Sequence, residues 1–240
     1  MKYPSRIEKQ YSDYMKRFVG SQAKEMQRLM LSMIRADGSI DTIKARTVSQ
    51  KMQALEEKFL SDEDQEKISK AVRAVGRSVD GVVRKAVFDT VKAEGFRVAF
   101  RPSAGLESFI ENNVSLISTI SKKNFETIKD SVSKSLGEGY DYATIKKEIL
   151  DLTDKNVFYA DFVARDQLAK VTADVNKERQ EEAGIPAYRW RTVGDNRVRP
   201  EHRALKDKEF SWDDPPLAVG DRRLHPGQDY QCRCIADPAY

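Results

Sequence analysis

The residues best suited to chemistry in this sequence are gathered near its carboxyl end. The two histidines and two cysteines of the chain are His202, His225, Cys232 and Cys234. Imidazole nitrogens and cysteine thiolates are the ligands that zinc prefers, and a structural zinc site takes four of them in tetrahedral geometry. The number and type of these residues predict a zinc site composed of all four side chains.

The identity of the fourth zinc ligand is open. Cysteines separated by one residue, as here, chelate zinc less commonly than cysteines separated by two. His225 is the least certain of the four ligands, and Asp195 or Asp229 is an alternative to it.

Two other interpretations of these residues need no structural zinc. In the first, both cysteines are small buried packing residues, and His202 is satisfied by a hydrogen-bond network with Asp195. In the second, His202 is a general base oriented by Asp195, or part of a nuclease-like metal site. The sequence contains no paired-carboxylate motif that supports this catalytic interpretation, so it is the weakest of the three.

The same stretch is rich in arginine, whose guanidinium group binds phosphate or carboxylate. Acidic residues are interleaved with these arginines, so internal ion pairs are the expected partners of most of them. Arg222 and Arg223 lie in a loop where only Asp221 is adjacent. We therefore expect these two arginines to contact a partner or a phosphate.

Amphipathic helices must position this stretch, because apolar residues recur at spacings of three and four along most of the chain. These apolar stripes predict helices over residues 5–36, 41–60, 62–94, 103–136, 141–150 and 156–184. Residues 95–102 alternate apolar and basic side chains and predict a short strand or an extended crossing. After Pro186 the pattern predicts a strand near 188–193, helical turns at 199–205, a short strand at 209–212 and then irregular structure.

These elements predict a mainly α protein with two parts. An elongated helical body covers residues 1–154, and a small C-terminal α+β domain with short strands covers residues 155–240. The segment after Pro186 contains too little apolar material to be rigid alone. It needs packing against helices, a partner or a metal staple.

Composition narrows the class of protein. The sequence has 42 basic and 38 acidic residues, and a net charge of +4 is too small to indicate nucleic-acid binding by itself. No stretch of about 18 apolar residues occurs, so no membrane span is expected. Two cysteines separated by one residue do not form a secreted disulfide framework, so we expect reduced thiols and synthesis in a cytoplasm.

An ordered set of motifs in the last third of the chain resembles one known family. The motifs are Ala164-Arg165-Asp166-Gln167, Tyr188-x-Trp190, Asp195-x-Arg197-Val198-Arg199-Pro200-x-His202-x-x-Leu205, Asp213-Asp214-Pro215-Pro216 and Pro226-Gly227-x-Asp229-Tyr230-x-Cys232-Arg233-Cys234. Over residues 155–238 they resemble the phage head morphogenesis family, the Mu F-like minor head proteins. Trp190, Asp195, Arg197, Arg199 and Arg233 belong to this pattern, whereas His225 does not.

The resemblance implies a minor structural protein of a tailed-phage or prophage head, and no enzymatic activity. The implied partners are the portal protein, the major capsid or scaffolding protein, and phage DNA. The implied locations are the head interior or portal of the virion, and the bacterial host cytoplasm during assembly. The alternative is a DNA-binding or DNA-processing protein that acts on the packaged genome through its arginines.

Overall fold

A computed structural model describes residues 1–33, 35, 47–95, 97–139 and 141–239, and these residues are mainly helical. The long helices are α1 (Ser5–Leu31), α2 (Val48–Phe59), α3 (Asp62–Ala93), α4 (Ala104–Gly137) and α5 (Tyr142–Glu182). The predicted fold class, mainly α with a small C-terminal sheet region, is confirmed. Within the described part of the chain, no helix combines the length and apolarity needed to cross a membrane.

The short elements that the structure describes all follow α5. They are β1 (Ala187–Arg191), α6 (Pro200–Ala204), β2 (Glu209–Ser211), β3 (Leu217–Val219), β4 (Arg222–Arg223) and β5 (Ile235–Ala239). One antiparallel sheet has the order β2-β1-β5, and β3 pairs with β4 in a separate hairpin. In the central strand β1, Tyr188 and Trp190 alternate with half-buried arginines and point to the buried side.

Most predicted elements exist, but their bounds differ in informative ways. The two helices expected at 141–150 and 156–184 are one continuous helix, α5. The connecting residues contain no Gly or Pro, and the hydroxyl of Thr153 donates a hydrogen bond of 2.6 Å to the carbonyl of Ile149 inside the helix. The predicted boundary between residues 154 and 155 therefore falls within α5, and the division into domains 1–154 and 155–240 stays a prediction.

Other differences concern shorter segments. Helix α1 ends at Leu31 and α2 begins at Val48. The sequence predicts an end of the first helix at residue 36 and a start of the second at residue 41, and both positions lie outside the described residues. Residues 97–103 are irregular and form no strand. The segment after β2, expected to be irregular, contains β3, β4 and β5.

The chain divides into two compact units. One consists of Ser12–Ala71 and Asn113–Val163. Its core is aliphatic and sulfur-rich, with a phenylalanine. The buried residues are Met26, Met30, Met33, Val48, Met52, Phe125, Ile128, Val132, Ile145 and Ile149. This core follows the apolar stripes that the sequence predicts.

The other unit consists of Met1–Tyr11, Val72–Asn112 and Ala164–Tyr240, and it contains the candidate site. Arg179 on α5 is fully buried here. Its guanidinium donates to Asp80 at 2.9 Å, to Glu182 at 2.7 Å and to the carbonyl of Arg101 at 2.8 Å. These contacts anchor the irregular segment before α4 to α5. Ser103 then caps α4, because its hydroxyl accepts a hydrogen bond of 3.0 Å from the amide of Leu106.

The second half of α5 also positions the C-terminal elements. Asn176 and Gln180 both donate side-chain hydrogen bonds to the carbonyl of Ala236 in β5, at 2.7 and 2.9 Å. Gly227 has a φ of 89°, and a Cβ there would lie 2.8 Å from the Cβ of Ala173 on α5. Only glycine therefore lets the chain pass this close to the helix.

Candidate metal centre

Three of the four predicted zinc ligands meet in the structure. The Nδ1 atom of His202 lies 3.4 Å from the Sγ of Cys232 and 3.7 Å from the Sγ of Cys234. The candidate ligand atoms all lie within 4.8 Å of one another, and the three residues are buried. We call His202, Cys232 and Cys234 the metal cluster.

Local structure explains how these side chains meet. Pro200 begins α6, a position where its missing N–H costs nothing, and His202 follows on the buried side of that helix. Gln231 adopts a positive φ of 55°, and its amide donates 2.8 Å to Asp166 on α5. The turn before β5 is thereby tied to α5, and both cysteines face His202.

The spacing of the metal cluster fits zinc. Zn–S bonds of about 2.3 Å and Zn–N bonds of about 2.0–2.1 Å at tetrahedral angles give sulfur-to-nitrogen separations of about 3.6 Å. The two separations to Nδ1, 3.4 and 3.7 Å, lie on either side of that value. The three residues could therefore hold a zinc ion with little rearrangement. Without an ion, the same distances allow weak thiol-to-imidazole hydrogen bonds.

Each candidate ligand has a polar neighbour that would stabilise its metal-binding form, which is a thiolate for cysteine and a neutral imidazole for histidine. The amide of Cys234 donates to the Sγ of Cys232 at 3.4 Å. The indole N–H of Trp190 is buried and forms no hydrogen bond with the described residues. It lies close to Cys234 and acts to lower the pKa of that thiol. On the other side of the imidazole, the Nε2 of His202 lies 3.9 Å from the Oδ2 of Asp229. Donors thus approach the sulfurs, and a carboxylate approaches the second ring nitrogen.

The two thiols ionise differently. The contact with Cys234 lowers the pKa of Cys232 below its usual range, with a further contribution from His202. The contact with Cys232 and burial raise the pKa of Cys234 above its usual range. One thiolate therefore forms readily, whereas two adjacent buried thiolates need a positive charge between them. A divalent cation supplies that charge.

The structure does not place His225 in the metal cluster. Its Nδ1 forms a hydrogen bond of 2.9 Å with the hydroxyl of Tyr188, and its ring packs against Trp212 at 5.0 Å between centroids. Burial, with a smaller effect of Lys177, lowers the pKa of His225 to about 4. His225 is a neutral core residue in this structure, and the four-residue ligand set of the sequence prediction is reduced to three.

The two aspartates considered as substitute ligands also have other contacts. Asp195 pairs with Arg233 and with Arg197, so it does not form the predicted hydrogen-bond network with His202. The carboxylate beside His202 belongs instead to Asp229, which forms ion pairs of its own. Neither aspartate joins the metal cluster among the residues that the structure describes.

The two arginines expected to face a partner lie on the β3–β4 hairpin and are more than half exposed. Arg222 donates 2.9 Å to Asp229, and Arg223 donates 2.6 Å to Asp214 and 2.8 Å to the carbonyl of Pro215. Each guanidinium therefore has an internal partner and also faces solvent. Their predicted role as contacts for a partner or phosphate stays a prediction.

Sequence reasoning missed the residues that support the metal cluster from outside. Asn176 and Gln180 lie four residues apart on the buried face of α5, and both reach β5. Two amide side chains at helical spacing are the signal that could have identified them. No comparable spacing in the sequence predicts that Asp229 lies beside the Nε2 atom of His202.

Comparison with known proteins finds a family model that is similar to most of this region. Residues 126–236 match the family model described as Phage Mu protein F like protein. The match confirms the resemblance seen in the sequence motifs. It begins in α4, earlier than the motifs indicate, and it includes the whole metal cluster.

A curated relative is also similar to this chain. An uncharacterized protein of Haemophilus influenzae is 32% identical to it over 126 residues, which are 52% of this chain and 27% of the relative. This chain therefore spans about a quarter of that relative's length. No solved structure matches the chain significantly.

Proposed function

We propose that this chain is a minor head protein of a tailed phage or prophage. In this proposal it associates with the portal or with the interior of the procapsid, and it assists head assembly or the packaging and delivery of DNA. The observation that supports the proposal is the match of residues 126–236 to the family of Mu protein F. Portal, capsid or scaffolding proteins are the expected partners, and the head interior or portal is the expected location after assembly in the host cytoplasm.

We further propose that the metal cluster binds one structural zinc ion that stabilises the C-terminal sheet region. The cysteines precede β5 and His202 lies on α6, so an ion bound to all three joins these two segments. The support is geometric: ligand spacing near that of tetrahedral zinc, and a polar neighbour for each ligand. The cluster contributes three protein ligands, whereas structural zinc sites usually have four and a water in the fourth position is typical of catalytic sites. The structural assignment therefore rests on the burial of the three residues and not on the number of ligands.

The proposed role of the metal cluster is structural and not catalytic. The side chain of His202 is 2% exposed, its Nδ1 faces two sulfurs, and its Nε2 faces Asp229. A general base needs a nitrogen within reach of a substrate proton. Both ring nitrogens of His202 already face protein groups, so the imidazole supports folding and not turnover.

Partner binding can be tested with purified proteins. The chain is mixed with the portal ring of its own phage and, separately, with linear duplex DNA, at moderate and at high salt. We expect it to co-sediment with the portal ring at both salt concentrations. Binding to DNA alone that weakens steeply with added salt, together with no association with the portal, would support the DNA-binding alternative instead.

Zinc binding is tested by elemental analysis of freshly purified protein that has never met a chelator. We expect about one zinc ion per chain. Cys232→Ala should lose the ion, because it removes one of three ligands. His225→Gln is the matched control, since it changes the histidine outside the metal cluster and should retain the ion. Absence of metal from the wild-type protein would refute the zinc proposal without affecting the proposed head function.

A further inference from the structure

The second nitrogen of His202 has an unusual environment. The Nε2 atom is buried and has no hydrogen-bond partner in the described part of the chain. The nearest charged oxygen is the Oδ2 of Asp229 at 3.9 Å, just beyond hydrogen-bond distance. A buried N–H without a hydrogen-bond partner is unfavourable, so a small shift that closes this gap is favourable.

Asp229 is itself buried, and both of its oxygens are held. Arg199 lies 3.1 Å from Oδ2, and Arg222 donates 2.9 Å to Oδ1. A buried carboxylate needs such partners to remain ionised. Asp229 is therefore a fixed acceptor whose position depends on α6, which begins just after Arg199, and on the β3–β4 hairpin, which contains Arg222.

Metal-bound histidines usually donate their other ring N–H to a carboxylate or carbonyl, which fixes the tautomer and the ring orientation. Resting on the zinc site proposed above, we propose that Asp229 is the outer carboxylate of the metal centre. It accepts the Nε2–H of His202, and it thereby keeps Nδ1 directed at the ion between Cys232 and Cys234. Asp229 acts as a positioning residue and not as a metal ligand.

This arrangement connects the metal centre to the hairpin predicted to meet a partner. Arg222 contacts Asp229 directly, and Asp229 faces His202. Asp229 therefore links the metal centre to the hairpin of Leu217–Val219 and Arg222–Arg223, because His202 and Arg222 share its carboxylate. Asp229 thus connects the buried metal cluster, through Arg222, to the exposed side of the β3–β4 hairpin.

The test compares zinc affinity, measured by competition with a chromophoric chelator, in wild type and three variants. Asp229→Asn keeps the shape but weakens the acceptor, and we expect a loss of about 10- to 100-fold in affinity. Asp214→Asn is the matched control, because that acid pairs with Arg223 and does not face His202. It should bind zinc as wild type does. Arg222→Gln, which removes one support of Asp229, should give a smaller loss than Asp229→Asn.

A second measurement needs no variant. In zinc-loaded wild-type protein labelled with nitrogen-15 at histidine, the imidazole spectrum of His202 should show a metal-bound Nδ1 and a protonated Nε2 in slow exchange with water. A metal-bound Nε2 would overturn the proposal. Unchanged affinity in Asp229→Asn would overturn it as well, even though zinc still binds. Failure of wild type to bind zinc at all would instead refute the zinc site on which the proposal rests.

Discussion

Two buried clusters of this molecule are built from different residue types. The helical cluster around Ile128 contains Met, Val, Ile and Phe side chains repeated at helical spacing. The C-terminal cluster around Trp190 contains aromatic, cysteine and alanine side chains from short strands and turns. Many similar contacts share the stabilisation of the first cluster. The second has few elements, so single groups such as the three proposed metal ligands should carry more of its stability.

The largest expected effect separates the two clusters directly. Both tryptophans, Trp190 and Trp212, are buried in the C-terminal cluster, so tryptophan emission reports on that cluster, while far-ultraviolet circular dichroism reports mainly on the helices. Removing zinc with a chelator should shift the emission to longer wavelength and leave most of the helical signal. The metal contributes on the order of 10 kcal/mol in small zinc domains.

Two controls make this experiment decisive. Cys232→Ala should show the shifted emission before any chelator is added. Added zinc should restore the wild-type emission and should not restore that of the variant. Unchanged emission from wild-type protein shown to have lost its zinc would contradict the view that the metal stabilises the C-terminal cluster.

The helical cluster should respond to side-chain volume and not to metal. Ile128 is fully buried in that cluster. Ile128→Val should lower the free energy of unfolding by about 0.5–1.5 kcal/mol and Ile128→Ala by about 2–5 kcal/mol. Denaturant unfolding followed by circular dichroism measures both values. The same values should be found with and without chelator, and a strong dependence on chelator would show that the two clusters are not independent.

The C-terminal cluster alone should show a histidine-dependent response to acid. The pKa of His225 is lowered from 6.5 to about 4 in the folded protein by burial and Lys177. Between these values the unfolded state binds the proton and the folded state does not, so stability falls as the pH decreases from 6.5 towards 4. The slope is at most about 1.4 kcal/mol per pH unit.

The measurement is the free energy of unfolding of wild type and His225→Gln at several pH values in the presence of zinc. The difference between them should change in favour of the variant as the pH falls, because glutamine does not titrate. Ile128→Val should stay parallel to wild type over the same range. Parallel curves for His225→Gln would mean that His225 takes up its proton without unfolding.

The contrast between the clusters also explains what the sequence could predict. Helical periodicity identified the long helices because each apolar stripe repeats many times within one segment. It failed between residues 150 and 156, where two predicted helices are the continuous α5, because a few polar residues interrupt the stripe without breaking the backbone. Sequence pattern alone is a poor guide to whether a helix breaks at such a point, because burial of the apolar residues before and after it can keep the helix continuous.

The C-terminal sheet depended on contacts that no local pattern encodes. Strand β5 contains Pro238, which argues against a strand, yet β5 lies at the edge of its sheet, where proline is tolerated. The clustering of histidine and cysteine drew attention to His202, Cys232 and Cys234, and the structure brings these three residues together. It also drew in His225, whose contact with Tyr188 is set by tertiary packing and not by its distance along the chain.

The smallest expected effect concerns exposed ion pairs, which should contribute little in either region. Arg223 pairs with Asp214 on the C-terminal surface, and Lys85 pairs with Asp89 on α3, and all four side chains are more than half exposed. Arg223→Gln and Lys85→Gln should each change the free energy of unfolding by less than about 1 kcal/mol. If Arg223→Gln nevertheless reduces association with the portal or with DNA, the arginine contacts a partner. A loss of stability well above that of Lys85→Gln would instead mean that its contacts with Asp214 and the Pro215 carbonyl hold the loop, and binding data for this variant would then report on folding.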